Sequence, residues 1–520
     1  MNRRQLGLGV ATSTLMVTTT TKAMAQSSTT PSVNVAPINL EAQVSRLPAA
    51  QQALVKRVYE LTGGKPIWTA ERLRALQQVA AGAERHALPV TDYFDFVGNA
   101  ANPETAEVRS TLAALTYAGA LAHGSTQPEQ VEELWEMEKN RVDLPTGMVE
   151  AISGNRLVDW FESLAPQDIG YKNLSAGYVR YRRLAQAGGW RAFNLQAGTI
   201  EPGNTDSRMP ALVSRLVAEG DLSASAGERL ANSTAYGSDL QSAVRSFQTR
   251  HGLGADARIG PGTQRSLGAT AENRARQIAL NLERRRWLKR DLAPERIEVN
   301  TAAAIMVYYR DGRPIHSNRV VVGSVENQTP SLERPFASVV ANPPWTVPMG
   351  IARREILPKG PGYLAANDMY VNEQGWVVQR AGPRSSLGYV KFELRDSYAI
   401  FLHDTPSKGA FDLSVRQRSH GCVRVQNAVE FARLLLQPSE AKLAEFDTAQ
   451  ESRKTTRVTT GRPITVRLLY WTAFVDGQGR VAFREDVYNR DAKLAEAMGI
   501  AVSLPKVIAD GANSPDDVGP

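Results

Sequence analysis

The sequence predicts a multidomain α+β protein: a helical region over 38–200, a second, smaller helical unit over 206–268, and a C-terminal domain over 295–500 that holds strands and a long insertion. Three observations predict it. The length of 520 residues suits two to four domains of roughly 100–200 residues each. Apolar residues recur at helical spacing through the first part, as at Leu54, Val58 and Leu61 and again at Leu73, Leu76, Val79 and Ala80. Further on, the run Ala399-Ile400-Phe401-Leu402, stopped by Pro406, reads as a buried strand.

The first 25 residues read as an export signal. Arg3-Arg4 precede a modest apolar stretch, Leu6 to Val17, and Ala23-Met24-Ala25 supplies the small residues of a cleavage site. The paired arginines and the weakly apolar, threonine-rich stretch lean towards a twin-arginine signal, although Gly7 after Leu6 departs from that pattern. A periplasmic location follows, with residues 26–37, rich in Ser, Thr and Pro, as a linker. No later run has the ~20 apolar residues of a membrane span, so no transmembrane segment is expected in the mature chain.

In the helical region Thr69 is the expected N-cap of a helix over 70–87, and Pro210 opens another that carries Leu212, Val213, Leu216 and Val217. Within 206–268, Leu240, Ala243, Val244 and Phe247 share one helix face. Gly252 is placed to end that helix in the left-handed conformation. Gly260-Pro261 then makes a turn, and Thr263 helps start the next helix. A long helix is expected over 272–290; the run Arg284-Arg285-Arg286 in it reads as a solvated face. Residues 501–520 read as a tail.

Composition narrows the function classes. An apolar fraction of 42% and a charged fraction of 22% are ordinary for a globular protein and exclude wholesale disorder. The net charge of +8 favours acidic partners, but the basic residues are scattered and no nucleic-acid motif appears, so no nucleic acid is expected as partner. There is no H-x-x-x-H or C-x-x-C pattern, and neither a metal nor a cofactor is expected. A serine triad would show a G-x-S-x-G elbow, which is absent.

Cys422 is the single cysteine, so an internal disulfide is impossible. In an exported protein a lone thiol reads equally as a reactive group or as a small buried hydrophobe; its neighbours decide. They are Ser419-His420-Gly421-Cys422-Val423-Arg424. Basic side chains lower a thiol pKa, and a glycine lets backbone N–H groups converge on one spot, as an oxyanion requires. Upstream, His403 stands at the end of the apolar run, and the loop between them can bring imidazole to thiol, the pairing that nucleophilic catalysis needs.

The stretch from His403 to Arg424 resembles the signature of the YkuD-type L,D-transpeptidases, matching it at His403, Ser419, His420, Gly421, Cys422 and Arg424. The resemblance extends to Asn342-Pro343-Pro344-Trp345-Thr346-Val347-Pro348, like the start of the substrate lid in the large YcbB-like periplasmic members, and to Gly382-Pro383-Arg384 and Leu387-Gly388-Tyr389-Val390-Lys391-Phe392, like its end. Tyr470-Trp471-Thr472-Ala473 resembles the closing strand. The Gly/Pro-rich stretch of about 345–388 would then be a lid that keeps water from an acyl-enzyme.

The resemblance implies a mostly β, sandwich-like YkuD-type catalytic domain with a lid insertion, preceded by an α-helical scaffold domain and a small three-helix peptidoglycan-binding module. It implies Cys422 as nucleophile and His403 as general base, oriented by the backbone carbonyl of Asp404, with the Asp404 carboxylate as a weaker candidate. Ser419, His420, Gly421 and Arg424 would support the site, and Trp345, Tyr389 and Lys391 would belong to the lid. Asp404, Lys408 and Arg418 also read as merely solvated loop charges. The implied activity is formation of 3→3 cross-links between peptidoglycan stem peptides, with glycan strands held by the module. An L,D-carboxypeptidase or exchange enzyme on the same stems, or a non-catalytic wall-binding scaffold, are the alternatives. Oligomeric state is not readable.

Overall fold

The computed structural model describes residues 41–45, 47–94, 102–191, 193–194, 198–395 and 398–501. The expected signal peptide, the linker and residues 502–520 of the tail lie outside the described residues. Among these no helix is long and apolar enough to cross a membrane.

The N-terminal helices pack Val55, Tyr59, Leu76, Leu121, Phe161 and Tyr171 into one core. Thr69 caps its helix by accepting from the Arg72 N–H, but the helix runs only Ala70–Ala81. Gly82 follows, and Ala83–His86 tighten into a 3-10 turn that Ala87 closes at φ +55°. The next unit has four helical segments rather than three: Met209–Glu219, Ala224–Leu230, Ser238–Arg250 and Pro261–Gly268. The extra one is a seven-residue piece capped by the Ser223 side chain. Gly252 sits at φ +72° after the third, as its position predicts. Gly260, not Thr263, holds the cap position of the fourth; the Thr263 hydroxyl lies within its first turn and accepts from Gln248 Nε2 at 3.1 Å.

The helix Ala271–Trp287 joins these units to the C-terminal domain, and here the sequence reading needs correction. Arg284 and Arg286 are not solvated: they are 3% and 0% exposed. Arg286 donates to Glu283 Oε2 at 2.6 Å and to the His86 carbonyl at 2.7 Å, and Arg284 pairs with Asp491 at 2.5 Å. Burial of such charges is tolerable only with close partners: Glu283 stands three residues back on the same helix, while Asp491 and the His86 carbonyl come from distant parts of the chain. Arg285 lies over the Trp471 ring at 4.2 Å.

The strands are β1 (Trp135–Glu136), β2 (Arg296–Asn300), β3 (Ile305–Arg310), β4 (Arg313–Gly323), β5 (Ser331–Ala341), β6 (Trp345–Thr346), β7 (Met369–Val371), β8 (Val377–Gln379), β9 (Val390–Leu394), β10 (Leu402–His403), β11 (Gln417–Ser419), β12 (Val423–Val425), β13 (Thr456–Val458), β14 (Thr465–Leu469), β15 (Ala473–Val475) and β16 (Val481–Phe483). The long strands β4 and β5 serve two layers. The first part of β4 pairs with β3 and its end with β12; the first part of β5 pairs with β14 and its end, past an irregularity near Phe336, with β9. The sheet therefore folds over on itself in a sandwich-like manner. Val299, Met306, Val320, Leu332, Phe392, Leu402, Val423 and Val425 fill the space between, with Phe431 and Leu435 from the helix Ala428–Leu436. The insertion has a core of its own: β6, β7 and β8 form a small sheet over which Trp345, Val347, Ile351, Ile356, Met369 and Leu387 pack.

Candidate active site

β10 lies between β9 and β12. It is antiparallel to β9, with His403 opposite Lys391, and parallel to β12, with Leu402 opposite Val423 and His403 opposite Arg424. Strand side chains alternate between faces. Leu402, Val423 and Val425 point into the core. His403 and Arg424 take the other face, and Cys422 stands in the bend at 420–422, directly before β12. His403 is fully buried and Cys422 is 6% exposed.

His403 Nδ1 lies 2.5 Å from the carbonyl oxygen of Asp404. A carbonyl only accepts, so in the neutral ring Nδ1 carries the proton and Nε2 is the basic nitrogen. The Asp404 carboxylate does not serve the ring. It accepts from the Tyr389 N–H at 3.0 Å and pairs with Lys408. It also presses on Gly388, where a Cβ would lie 2.3 Å from Oδ2 and φ is +58°. Asp404 is thus not a solvated loop charge; it fastens the end of the insertion to the strand that carries the histidine, while Lys408, paired with it, keeps a side chain 55% exposed.

The turn before Cys422 is held from within. The Ser419 hydroxyl accepts from the Gly421 N–H at 3.2 Å and donates to the Cys422 carbonyl at 2.6 Å. Gly421 has φ +115°, which a side chain would strain. The Thr329 hydroxyl accepts from the Gly323 N–H and donates to the Gly421 carbonyl, each at 2.8 Å. The Gly421 N–H is therefore engaged by Ser419. The Cys422 thiol lies 3.7 Å from the Ala399 carbonyl.

The remaining residues singled out in the sequence divide. His420 Nε2 lies 2.9 Å from Glu355 Oε1, which comes from a π-helical turn of the insertion, Ala352–Ile356. Arg424 is 1% exposed, enclosed by protein rather than presented to a passing carboxylate. Tyr389 is exposed, whereas Trp345 is buried in the insertion's own core and stabilises it from inside. Lys391 Nζ lies 4.3 Å from the centre of the Phe401 ring and 3.5 Å from Glu393. Glu355 and Thr329 carry no sequence signal; both act from far along the chain. Among the described residues no cluster of His, Cys, Asp and Glu could hold a metal ion.

Comparison with known proteins agrees with this architecture. Residues 294–466 match the family described as the L,D-transpeptidase catalytic domain (YkuD), residues 53–178 a scaffold domain, and residues 207–267 a peptidoglycan-binding domain. The class is thus a protein with a helical scaffold domain, a domain similar to peptidoglycan-binding modules and a β-rich domain similar to L,D-transpeptidase catalytic domains. Residues 294–466 are thus similar to YkuD-type L,D-transpeptidase catalytic domains. A Haemophilus influenzae protein named "Putative L,D-transpeptidase" is 32% identical over 220 residues, covering 38% of this chain and 45% of the relative. The chain thus matches less than half the length of that relative. Two solved structures are similar at lower identity. The Xylanimonas cellulosilytica L,D-transpeptidase is 18% identical, with 52% of this chain and 98% of that chain covered and a TM-score of 0.18. The Stackebrandtia nassauensis enzyme is 11% identical, with 54% and 96% covered and a TM-score of 0.21.

Proposed function

We propose that this chain is an exported L,D-transpeptidase that forms 3→3 cross-links in peptidoglycan through a thioester on Cys422. The observation that carries the reading is the orientation of His403 by the Asp404 carbonyl, on a strand that pairs with β12 just after Cys422. His403 Nε2 takes the thiol proton, and the thiolate attacks the carbonyl of the third residue of a stem tetrapeptide. The bond to the terminal D-Ala breaks, and the imidazolium returns the proton to the departing amine. The amine of a second stem then attacks the thioester; the C–S bond breaks, His403 takes the amine's proton, and the thiol is restored. The Cys422 N–H stands at the turn where the oxyanion forms. The insertion, anchored beside the site through Asp404 and Glu355, excludes water and so favours the amine as acceptor.

The test is intact-mass analysis of the full chain with a carbapenem, together with digestion of tetrapeptide muropeptides. A stoichiometric adduct that Cys422→Ala abolishes, plus cross-linked dimers, is expected. An adduct on the variant would overturn the nucleophile, and tripeptides without dimers would make the enzyme a carboxypeptidase.

A further inference from the structure

The loop between β4 and β5, residues 324–330, holds neither helix nor strand and lies against the turn that carries Cys422. The Ser324 N–H donates to the Ser419 carbonyl at 2.8 Å, and the Thr329 hydroxyl donates to the Gly421 carbonyl at 2.8 Å. A Cβ built on Gly421 would stand 3.8 Å from the Asn327 carbonyl oxygen and 3.9 Å from that of Gln328. The Thr329 bond bears on the chemistry. The Gly421 carbonyl and the Cys422 N–H belong to one planar trans peptide unit, so they point in opposite directions. By holding the carbonyl, Thr329 sets the direction in which the N–H is aimed.

A loop keeps a fixed position where a rigid element holds it. Here that element is the start of the helix Arg490–Ala497. The buried Arg490 donates from Nη2 to the Thr329 carbonyl at 3.1 Å, and from Nη2 and Nε to Gln328 Oε1 at 3.1 and 3.3 Å. Its guanidinium carbon lies 4.9 Å from the centres of both the Tyr470 and the Tyr488 ring. Arg490 Nη1 donates to Glu132 Oε2 at 2.7 Å, and the Ser331 hydroxyl donates to the same oxygen at 2.6 Å. Glu132 is itself buried and stands shortly before β1, the strand that pairs with Ser331 and Leu332 of β5. Glu132 belongs to the scaffold domain, and Arg490 lies past the segment matched to the catalytic domain.

We infer that Glu132 and Arg490 are positioning residues for acyl transfer, through which the scaffold domain aims the Cys422 N–H. The inference rests on the reading of Cys422 as nucleophile and names what sets its oxyanion donor. A guanidinium is a planar fork, so a carboxylate that fixes one arm fixes the directions of the others. Without Glu132 the buried cation loses its counter-charge and the fork loses its fixed arm. The Thr329 carbonyl and Gln328 then follow a mobile donor, and the peptide at 421–422 turns with them. An oxyanion donor that misses its target slows the chemical step and leaves binding of the reactant intact.

The experiment follows carbapenem acylation of the full chain by intact mass over a range of drug concentrations, well below the thermal midpoint of each variant. For Glu132→Ala the limiting rate is expected to fall about fivefold or more, while the half-saturating concentration stays within about twofold of wild type. Glu132→Gln keeps an acceptor oxygen for Arg490 and Ser331 and is expected to recover most of the rate. A purely structural role would lower the midpoint and leave the limiting rate of the folded chain unchanged. That result overturns the inference, as does a change confined to the half-saturating concentration. If Glu132→Ala does not fold, Gln328→Ala decides: this residue is exposed, so folding is not at risk. Its limiting rate should fall about twofold to threefold; a wild-type rate overturns the inference. Absence of any adduct on the wild-type chain defeats the reading of Cys422 as nucleophile instead, whereas equal rates across the variants leave that reading standing.

Discussion

Glu355 Oε1 accepts from His420 Nε2 across 2.9 Å, joining the insertion to the turn that presents Cys422. The contact spans 65 positions of sequence. The π-helical turn Ala352–Ile356 places Ala352 and Ile356 in the insertion's core while Glu355 reaches the catalytic sheet; such turns recur at functional sites. Removing the acceptor in Glu355→Ala takes away the insertion's hold on the imidazole and slackens the turn beside Cys422. A loss of ~1.4 kcal/mol corresponds to about tenfold slower acylation. Glu355→Gln keeps an acceptor oxygen and is expected to lose less. Adduct formation with a carbapenem, followed over time by mass, checks both; equal rates in wild type and Glu355→Ala would show the contact to be idle.

Ser419 serves two backbone groups with one hydroxyl, the Gly421 N–H and the Cys422 carbonyl. Ser419→Ala leaves both enclosed without that partner, at a cost of ~1–3 kcal/mol. The expected outcome is a lower denaturant midpoint together with slower acylation, since the turn that loosens is the one that holds the thiol. Ser419→Thr keeps the hydroxyl and is expected to recover most of the midpoint, as measured by urea unfolding.

The residues that were legible in the sequence share a property: their partners are close in the chain. His403 and Asp404 are neighbours, Ser419 to Cys422 form one turn, and Gly252 follows directly on the helix it ends. What was misread depends on distant partners. Arg284 and Arg286 look like a solvated helix face until Asp491 and the His86 carbonyl, from far along the chain, enclose them. That the insertion builds its own core around Trp345 is likewise visible only once its strands and turns have folded together. The strand before His403 shows the same limit: the apolar run suggested four residues of strand, but ladder pairing supports only Leu402 and His403.

Arg286 tests whether the buried arginines hold the domains together. Its guanidinium bridges Glu283, on its own helix, to the His86 carbonyl in the scaffold domain. Glu283 in turn accepts from the N–H groups of Ser125 and Thr126 at 2.6 and 2.8 Å. Arg286→Ala strands a buried carboxylate, which costs ~3–5 kcal/mol. A large fall in unfolding midpoint is expected, and adding Glu283→Gln should restore part of it by removing the orphaned charge. Calorimetry of the single and double variants distinguishes this from simple loss of packing, which the second change would not repair.

His86 gives the same interface a pH dependence. Burial, then the charges of Arg286 and Arg85, push its pKa down to about 3 from the ordinary 6.5. Its Nδ1 lies 3.1 Å from the Tyr171 hydroxyl, so the folded chain keeps the ring neutral where the unfolded chain would protonate it. Between these two pKa values the unfolded state binds the extra proton, and stability rises with pH. The contribution is complete above pH 6.5 and drains away as pH falls towards 3, by at most ~1.4 kcal/mol per pH unit. In His86→Asn this component vanishes while the other carboxylates and histidines titrate as before. The stability difference between wild type and variant, measured by urea unfolding from pH 7 to pH 4, should therefore shrink steadily with acidification; a difference that stays constant would mean that His86 titrates alike in both states.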